Sequence, residues 1–217
     1  MAGTYTVYGA PGSGSVPVEA ALTLIGETYD VIGESVQRDV ARNPDVWKVN
    51  PLGQVPALVL PTGEVMTESA AILIYLADRY PDSGLAPSPT DRLRPAYLRW
   101  MTYVSAAIYG LAWVRGDPLR LVADEGQVGV VLDRIADRRA ACWRLMDEQI
   151  EPGRFLLGDR LGVLDLYVAT ISRWSPRRNR FYREAPKMAE IVRRVDAEPR
   201  LAAFWEDRFP FRDNWEG

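Results

Sequence analysis

A proline-rich segment at residues 81–89, PDSGLAPSP, separates two different sequence patterns and constrains the fold of this chain more than any other feature. Its prolines and glycine disfavour both helix and strand, as is typical of a linker between domains. Before it, short β-rich runs alternate with apolar helical stretches. After it, apolar residues recur at helical spacing alone. We therefore predict an α+β protein with a first domain at residues 1–80, a linker at 81–91 and an all-helical domain at 92–217.

The first domain shows the element order βαβαββα. TYTVYG alternates as a strand does, and VPVEAALTLIG follows as an apolar helix with Pro17 in its first turn and Gly26 at its C-terminal end. TYDVIGESV is predicted to be a second strand, and the polar stretch after it holds at most one helical turn. VPALVL and EVMT flank the turn PTG and form a predicted hairpin. ESAAILIYLADRYP is apolar on nearly every side, which indicates a helix buried between two layers.

The second domain shows only helical patterns. Residues 92–114 are predicted to form one helix with an apolar stripe on each of two faces, and the second stripe includes Tyr109 and Trp113. Further helices are predicted at residues 124–151, in VLDLYVATISRW, and at about 186–197 and 199–207. The basic run RRNRFYR, residues 177–183, is predicted to be a solvated loop, with attraction of an anionic substrate as the alternative.

Residue counts exclude several classes of function. The chain has no histidine, so it cannot build a Ser-His-Asp triad, an HExxH zinc site or a histidine general base, and no metal site is expected. A net charge of −3 without a long basic tract argues against nucleic acid as a partner. The single cysteine, Cys142, lies on an apolar stripe and suits a buried thiol in a reducing compartment. Without an export signal or a long apolar segment, a cytoplasmic location without membrane contact is expected.

Three segments give the chain a recognisable resemblance. The run NPLGQVPAL, then TESAAILIYLADRYP, and finally LLGDRLGVLDLYVA beyond the linker resemble the cytosolic glutathione transferases over essentially the whole length. The resemblance implies a thioredoxin-like first domain, glutathione as co-substrate and a homodimer. The loop PGSGS after the first strand is similar to that of the serine-type enzymes, in which a hydroxyl in a Pro-Gly-Ser loop is catalytic. The subclass stays open.

The resemblance also implies a glutathione-binding set. In this fold the proline at position 56 is cis, which leaves the backbone of Val55 free to bond the cysteinyl group of glutathione like an added strand. Glu68 and Ser69 begin a helix whose N-terminus favours a carboxylate, so they suit the γ-glutamyl end, and Gln54 is a further candidate. Taken alone, Pro56 could simply begin an edge strand, and Thr67, Glu68 and Ser69 could simply cap the helix.

The catalytic requirement is stabilisation of the glutathione thiolate. An unperturbed thiol has a pKa of about 8.5, and the thiolate is the nucleophile. Ser13 matches the Pro-Gly-Ser pattern and is the first candidate donor; Ser15, expected to cap the following helix, is the second. Some classes carry a cysteine in this loop, but Gly14 stands there, which disfavours mixed-disulfide chemistry. Tyr109 and Trp113 are candidates for the hydrophobic-substrate site, with core packing or a dimer interface as the alternative.

The resulting hypothesis is a glutathione transferase that conjugates the thiolate to a hydrophobic electrophile, as in detoxification. A binding or interaction module that has lost its reaction is an alternative, and so is a glutathione-dependent isomerase or dehalogenase. One feature bears on stability instead. Gly162 stands where the family usually has a capping Ser or Thr, three residues before Asp165, so Gly162→Ser is expected to stabilise the fold.

Overall fold

The computed structural model describes residues 3–33 and 44–217 of the chain. Its strands are β1 (Tyr5–Tyr8), β2 (Tyr29–Ile32), β3 (Ala57–Val59) and β4 (Val65–Thr67). They form one mixed sheet in the order β2-β1-β3-β4, in which β1 pairs parallel with β2 and antiparallel with β3. The antiparallel pairing of Leu58 with Met66 confirms the predicted hairpin.

Three helices accompany the sheet in the described part of this region: α1 (Val16–Ile25), α2 (Pro44–Val49) and α3 (Ser69–Arg79). Helix α1 has Pro17 in its first turn and ends at Gly26, whose φ of 87° suits glycine and whose N–H donates to the carbonyl of Leu22. Both end signals were predicted from the sequence. The last residues of the predicted second strand, 34–36, lie outside the described residues.

From residue 94 onward every regular element is helical. The helices are α4 (Arg94–Tyr103), α5 (Leu111–Gly116), α6 (Val128–Gln149), α7 (Val163–Ile171), α8 (Arg177–Glu184), α9 (Pro186–Asp196) and α10 (Ala202–Arg208). All nine residues of α7 are buried, so this helix is central to its bundle, as its apolar sequence indicates. No helix in the described ranges is long and apolar enough to cross a membrane.

Two predictions for the helical region are wrong. The basic run at residues 177–183 is helix α8, because Arg178 and Phe181 are both buried. Arg178 forms an ion pair with Asp196 at 2.8 Å, and Phe181 packs edge-on against Trp143. The single helix predicted at 92–114 is also interrupted. A π-helical segment, Val104–Tyr109, follows α4, and the chain turns at Gly110 before α5 begins.

The surroundings of Gly162 argue against the expectation that a serine at this position stabilises the fold. Asp165 accepts the N–H groups of Gly162 and Leu156, each at 2.8 Å, so the carboxylate half of the capping box is present. A Cβ atom on Gly162 would lie only 2.8 Å from the carbonyl oxygen of Leu85, which already accepts the N–H of Val163. A serine side chain at position 162 would therefore crowd this carbonyl.

The β-containing and helical regions pack directly against each other. Helix α1 contacts α7 and α10, and α3 contacts α7. The hydroxyl groups of Ser69 and Tyr167 bond across this contact at 2.9 Å. The N-terminal ends of α1 and α3, where the predicted site residues lie, therefore meet side chains from the helical region.

Candidate active site

The loop between β1 and α1 brings the two candidate serines side by side. Their Oγ atoms are 2.9 Å apart, and both side chains are buried. The backbone N–H of Ala10 lies 3.2 Å from each Oγ atom, and the N–H of Ser15 also donates to Ser13 Oγ at 3.2 Å. The loop thus points backbone donors at the oxygen of Ser13.

Ser15 occupies the position before α1, but its side chain does not cap the helix. Its hydroxyl instead donates to Oε1 of Glu19 at 2.6 Å. Glu19 is fully buried, and its other oxygen accepts from Nε of Arg208 at 2.6 Å. Sequence reasoning missed Glu19. The available signal was that it is the one charged residue in the apolar helix VPVEAALTLI.

The peptide bond between Val55 and Pro56 is cis, as the resemblance implies, and Pro56 lies just before β3 begins. The carbonyl of Val55 accepts the hydroxyl of Tyr109 at 3.4 Å. Gln54 is exposed, and its backbone carbonyl accepts Nδ2 of Asn50 at 2.8 Å.

Glu68 and Ser69 lie at the start of α3, as predicted. Glu68 is exposed, and its φ of 64° places it in a backbone region that residues other than glycine rarely adopt. Such outliers often accompany functional sites. Ser69 is buried, and its hydroxyl forms a hydrogen bond with the hydroxyl of Tyr167. Burial raises the pKa of Tyr167 to about 12. Thr67 belongs to β4, and Glu68 rather than Thr67 occupies the position before the helix.

Tyr109 connects these parts of the site. Its ring packs on Trp174 and Tyr167, with centroid distances of 4.9 and 6.2 Å. Its hydroxyl lies so close to Gly14 that a Cβ atom there would be only 1.8 Å from Oη. Burial raises the pKa of Tyr109, so the phenol keeps its hydrogen and acts as a donor. Tyr109 therefore covers the serine loop.

Trp174 also holds the loop, because its Nε1 donates to the carbonyl of Gly12 at 2.9 Å. No pattern in the sequence indicates this contact. Trp113 is placed differently from Tyr109: its side chain is exposed, and its ring contacts Arg120. Cys142 is buried, as predicted, and its thiol donates to the carbonyl of Ala107. Within the described ranges, no group of three or more Asp, Glu or Cys residues is placed to hold a metal ion.

Together these contacts define a site with three chemical features. The start of α3 offers an exposed carboxylate and N-terminal N–H groups, the backbone at Val55 offers a peptide edge, and the loop offers the Ser13 hydroxyl. Tyr109 contacts the loop and Val55, and Tyr167 contacts both Tyr109 and Ser69. The arrangement suits a small peptide-like ligand with a charged amino-acid end and a group that becomes an anion beside Ser13.

Known proteins are similar to this chain in sequence and in fold. The family described as "Glutathione S-transferase, N-terminal domain" matches residues 15–79. The chain is 30% identical over 196 residues to the GST-like protein YncG of Escherichia coli (strain K12), covering 90% of this chain and 94% of that protein. It is 33% identical over 172 residues to a maleylacetoacetate isomerase of Pseudomonas aeruginosa, covering 76% of each. A glutathione transferase homolog from Sulfitobacter, solved with bound glutathione, superposes with a TM-score of 0.82 at 24% identity, covering 95% of this chain and 98% of that one.

Proposed function

This chain belongs to the glutathione S-transferase family of enzymes, and from that premise we propose that it binds glutathione and activates its thiol through the hydroxyl of Ser13. One observation carries the choice of Ser13. Its oxygen faces the N–H groups of Ala10 and Ser15, whereas the hydrogen of Ser15 is already donated to Glu19. A hydroxyl has one hydrogen and two acceptor sites, so Ser13 retains a hydrogen that a thiolate can accept.

The required stabilisation is modest. Lowering the thiol pKa by two units from about 8.5 takes about 2.7 kcal/mol of preferential interaction with the thiolate. A hydrogen bond to a charged group contributes about 1.5–3 kcal/mol. The Ser13 hydroxyl, together with the N-terminal end of α1, is sufficient for this shift.

The remaining site residues suit the rest of glutathione. We propose that the γ-glutamyl end binds at Glu68 and Ser69 and that the cysteinyl backbone pairs with Val55 beside Pro56. The exposed side chain of Gln54 would add a further contact to glutathione. The first domain would then hold glutathione and the helical domain the electrophile. When glutathione binds, its backbone N–H would replace the Tyr109 hydroxyl as the donor to the carbonyl of Val55. The Tyr109 hydroxyl would then be free to lie next to the bound thiol.

Two reactions suit such a thiolate. In conjugation, the sulfur attacks an electrophile and stays bonded to it. In isomerisation, the sulfur adds to the substrate and leaves again. The relative named maleylacetoacetate isomerase favours isomerisation as the second candidate reaction. In both reactions Tyr109, which contacts the serine loop, is the first candidate to line the hydrophobic-substrate site. The exposed Trp113 could contact the substrate only at the outer edge of that site. A binding module without turnover is the remaining alternative.

The test compares two serines in one loop. We expect calorimetry to show that glutathione binds the wild-type protein, and the thiolate absorbance to show a lowered pKa. Ser13→Ala should raise the pKa of the bound thiol by about one unit or more, with little change in affinity. Ser15→Ala should mainly lower stability. An upward shift of the thiol pKa for Ser15→Ala alone would reverse the assignment. A screen of electrophiles with the wild type and both variants separates turnover from binding without reaction.

We also propose a cytoplasmic homodimer. Large apolar side chains are exposed on α4, at Leu98, and on α6, at Leu132 and Leu145. Burial of such side chains against a second copy would remove apolar surface from water. Sedimentation at micromolar concentration should give roughly twice the chain mass of 24.3 kDa. A mass of one chain would contradict the dimer.

A further inference from the structure

We propose that Glu19 and Arg208 are positioning residues for the thiol site, because their buried ion pair takes up the hydrogen of Ser15 and leaves Ser13 as the donor to the ligand. The inference deepens the proposed function and rests on it. It concerns how the fold distinguishes between two serines whose oxygens are 2.9 Å apart.

The direction of the bond between Ser15 and Glu19 follows from the chemistry of the carboxylate. A carboxylate accepts hydrogen bonds only, so at 2.6 Å the Ser15 hydroxyl must be the donor. Arg208 orients the carboxylate: Nε donates to Oε2 at 2.6 Å, and an Nη atom approaches Oε1 at 3.3 Å. The pair has side-chain exposures of 0% for Glu19 and 14% for Arg208, so water cannot easily replace either partner.

The donor role of Ser13 then follows by exclusion. With the single hydrogen of Ser15 on Glu19, the contact between the two hydroxyls requires Ser13 to donate to Ser15 in the ligand-free protein. A thiolate can accept a hydrogen bond from Ser13 at the cost of one hydrogen bond between two neutral hydroxyls. To accept a hydrogen bond from Ser15, it would have to displace the charge-assisted bond to Glu19, which is roughly twice as strong. The ion pair therefore makes Ser13 the easier donor.

Arg208 also fixes the loop itself. It is the last residue of α10, and its backbone carbonyl accepts the N–H of Gly12 at 2.9 Å. The ring of Phe209, the next residue, lies 3.3 Å from the position of a Cβ atom on Gly12. The end of α10 thus holds the serine loop by its backbone and sets the hydrogen-bond direction within the loop by its side chain.

The experiment is a double-mutant cycle read as the pKa of the bound glutathione thiol. In Glu19→Gln, the single amide oxygen can accept from Arg208, which turns the amide NH₂ toward Ser15 and releases the Ser15 hydrogen. We expect Ser13→Ala to raise the thiol pKa by about one unit in the wild-type background and by less than half of that in Glu19→Gln, because Ser15 then substitutes as donor. An equal shift in both backgrounds would overturn the proposal.

A matched control is Glu198→Gln, which removes the exposed ion pair with Arg200 and should leave the thiol pKa unchanged. Arg208→Lys keeps the charge beside Glu19 and should retain most of the Ser13 dependence. A general structural role for Glu19 would instead weaken glutathione affinity without changing how the thiol pKa responds to Ser13→Ala.

A second measurement does not depend on glutathione or on whether Glu19→Gln folds. Neutron diffraction from deuterium-exchanged wild-type protein locates the Ser15 hydroxyl deuterium directly. Its position between Ser15 Oγ and Glu19 would support the proposal, and its position toward Ser13 or Ala10 would overturn it. If the wild-type protein did not bind glutathione, the proposed function would be refuted. The position of the Ser15 deuterium would still show whether Glu19 accepts the Ser15 hydrogen.

Discussion

Replacing Gly14 with alanine perturbs the contact between the serine loop and the helical region. The new Cβ atom would lie 1.8 Å from Oη, 2.7 Å from Cζ and 3.0 Å from Cε1 of Tyr109. Ordinary contact needs about 3.5 Å or more. The ring cannot simply swing away, because it packs on Trp174 and Tyr167. Tyr109 must therefore shift and lose its bond to the carbonyl of Val55.

The expected destabilisation follows from these contacts. Overpacking a filled site costs about 1–3 kcal/mol. The bond to Val55 is long, at 3.4 Å, so its loss adds about 0.5 kcal/mol, the low end of the usual range. Alanine also restricts the unfolded chain, which offsets about 0.4–1 kcal/mol. The net loss is about 0.5–3 kcal/mol. At roughly 2–4 °C per kcal/mol for a chain of this size, Tm should fall by about 1–12 °C.

Calorimetric unfolding measures this effect, and Gly129 provides a matched control. Gly129 lies within α6, and apart from the backbone of its own helix and its chain neighbours no atom comes within 4 Å of its added Cβ, so Gly129→Ala should stabilise the protein by about 0.5–1 kcal/mol. In a Tyr109→Ala background, Gly14→Ala should no longer destabilise. An unchanged Tm for Gly14→Ala, or an equal loss in both backgrounds, would refute the steric reasoning.

Three further predictions address stability and the lone thiol. Gly162→Ser should lower the unfolding free energy by about 1–3 kcal/mol, because its Cβ meets the carbonyl of Leu85; a higher denaturation midpoint would show that capping outweighs the clash. Burial raises the pKa of Asp165 to about 7, above the unfolded value of about 3.9, so the native state holds more protons between those pH values. The unfolding free energy should therefore decrease as pH rises from about 4 to 7, by at most about 1.4 kcal/mol per pH unit, and level off above pH 7. Urea titrations should show this slope in the wild type but not in Asp165→Asn. A slope of the opposite sign would contradict the prediction. Cys142→Ser should keep turnover within about twofold of wild type, since the thiol is buried on the carbonyl of Ala107; loss of turnover with an unchanged Tm would indicate a redox role.

Much of the fold follows from local signals in the sequence. Pro17 and Gly26 mark the ends of α1 because proline suits a first helical turn and glycine suits a left-handed end. The turn residues Pro61 and Gly63 predict the hairpin of β3 and β4 in the same way. These signals act over a few residues, so the order of elements and the two-part character of the chain could be predicted without coordinates.

Local signals failed where a distant partner decides the structure. The run at 177–183 is rich in charge and looked like a solvated loop. It is a helix with one buried face, because Asp196 pairs with Arg178 and Trp143 packs against Phe181. The pattern at 92–114 predicted one helix, and nothing in it indicated the π-helical segment that carries Tyr109.

The candidate site divides in the same way. Its residue types are evident from the chain alone: a loop with two serines, a Val-Pro pair before a strand, and Glu-Ser at the start of an apolar helix. The hydrogen-bond partner of each group depends on how distant segments pack: Arg208, which binds Glu19, lies 189 residues away along the chain, and Tyr109, which binds the carbonyl of Val55, lies 54 residues away. Hydrogen bonds extend about 3 Å and depend on how separate elements pack, so the spacing of residues in one segment cannot specify them.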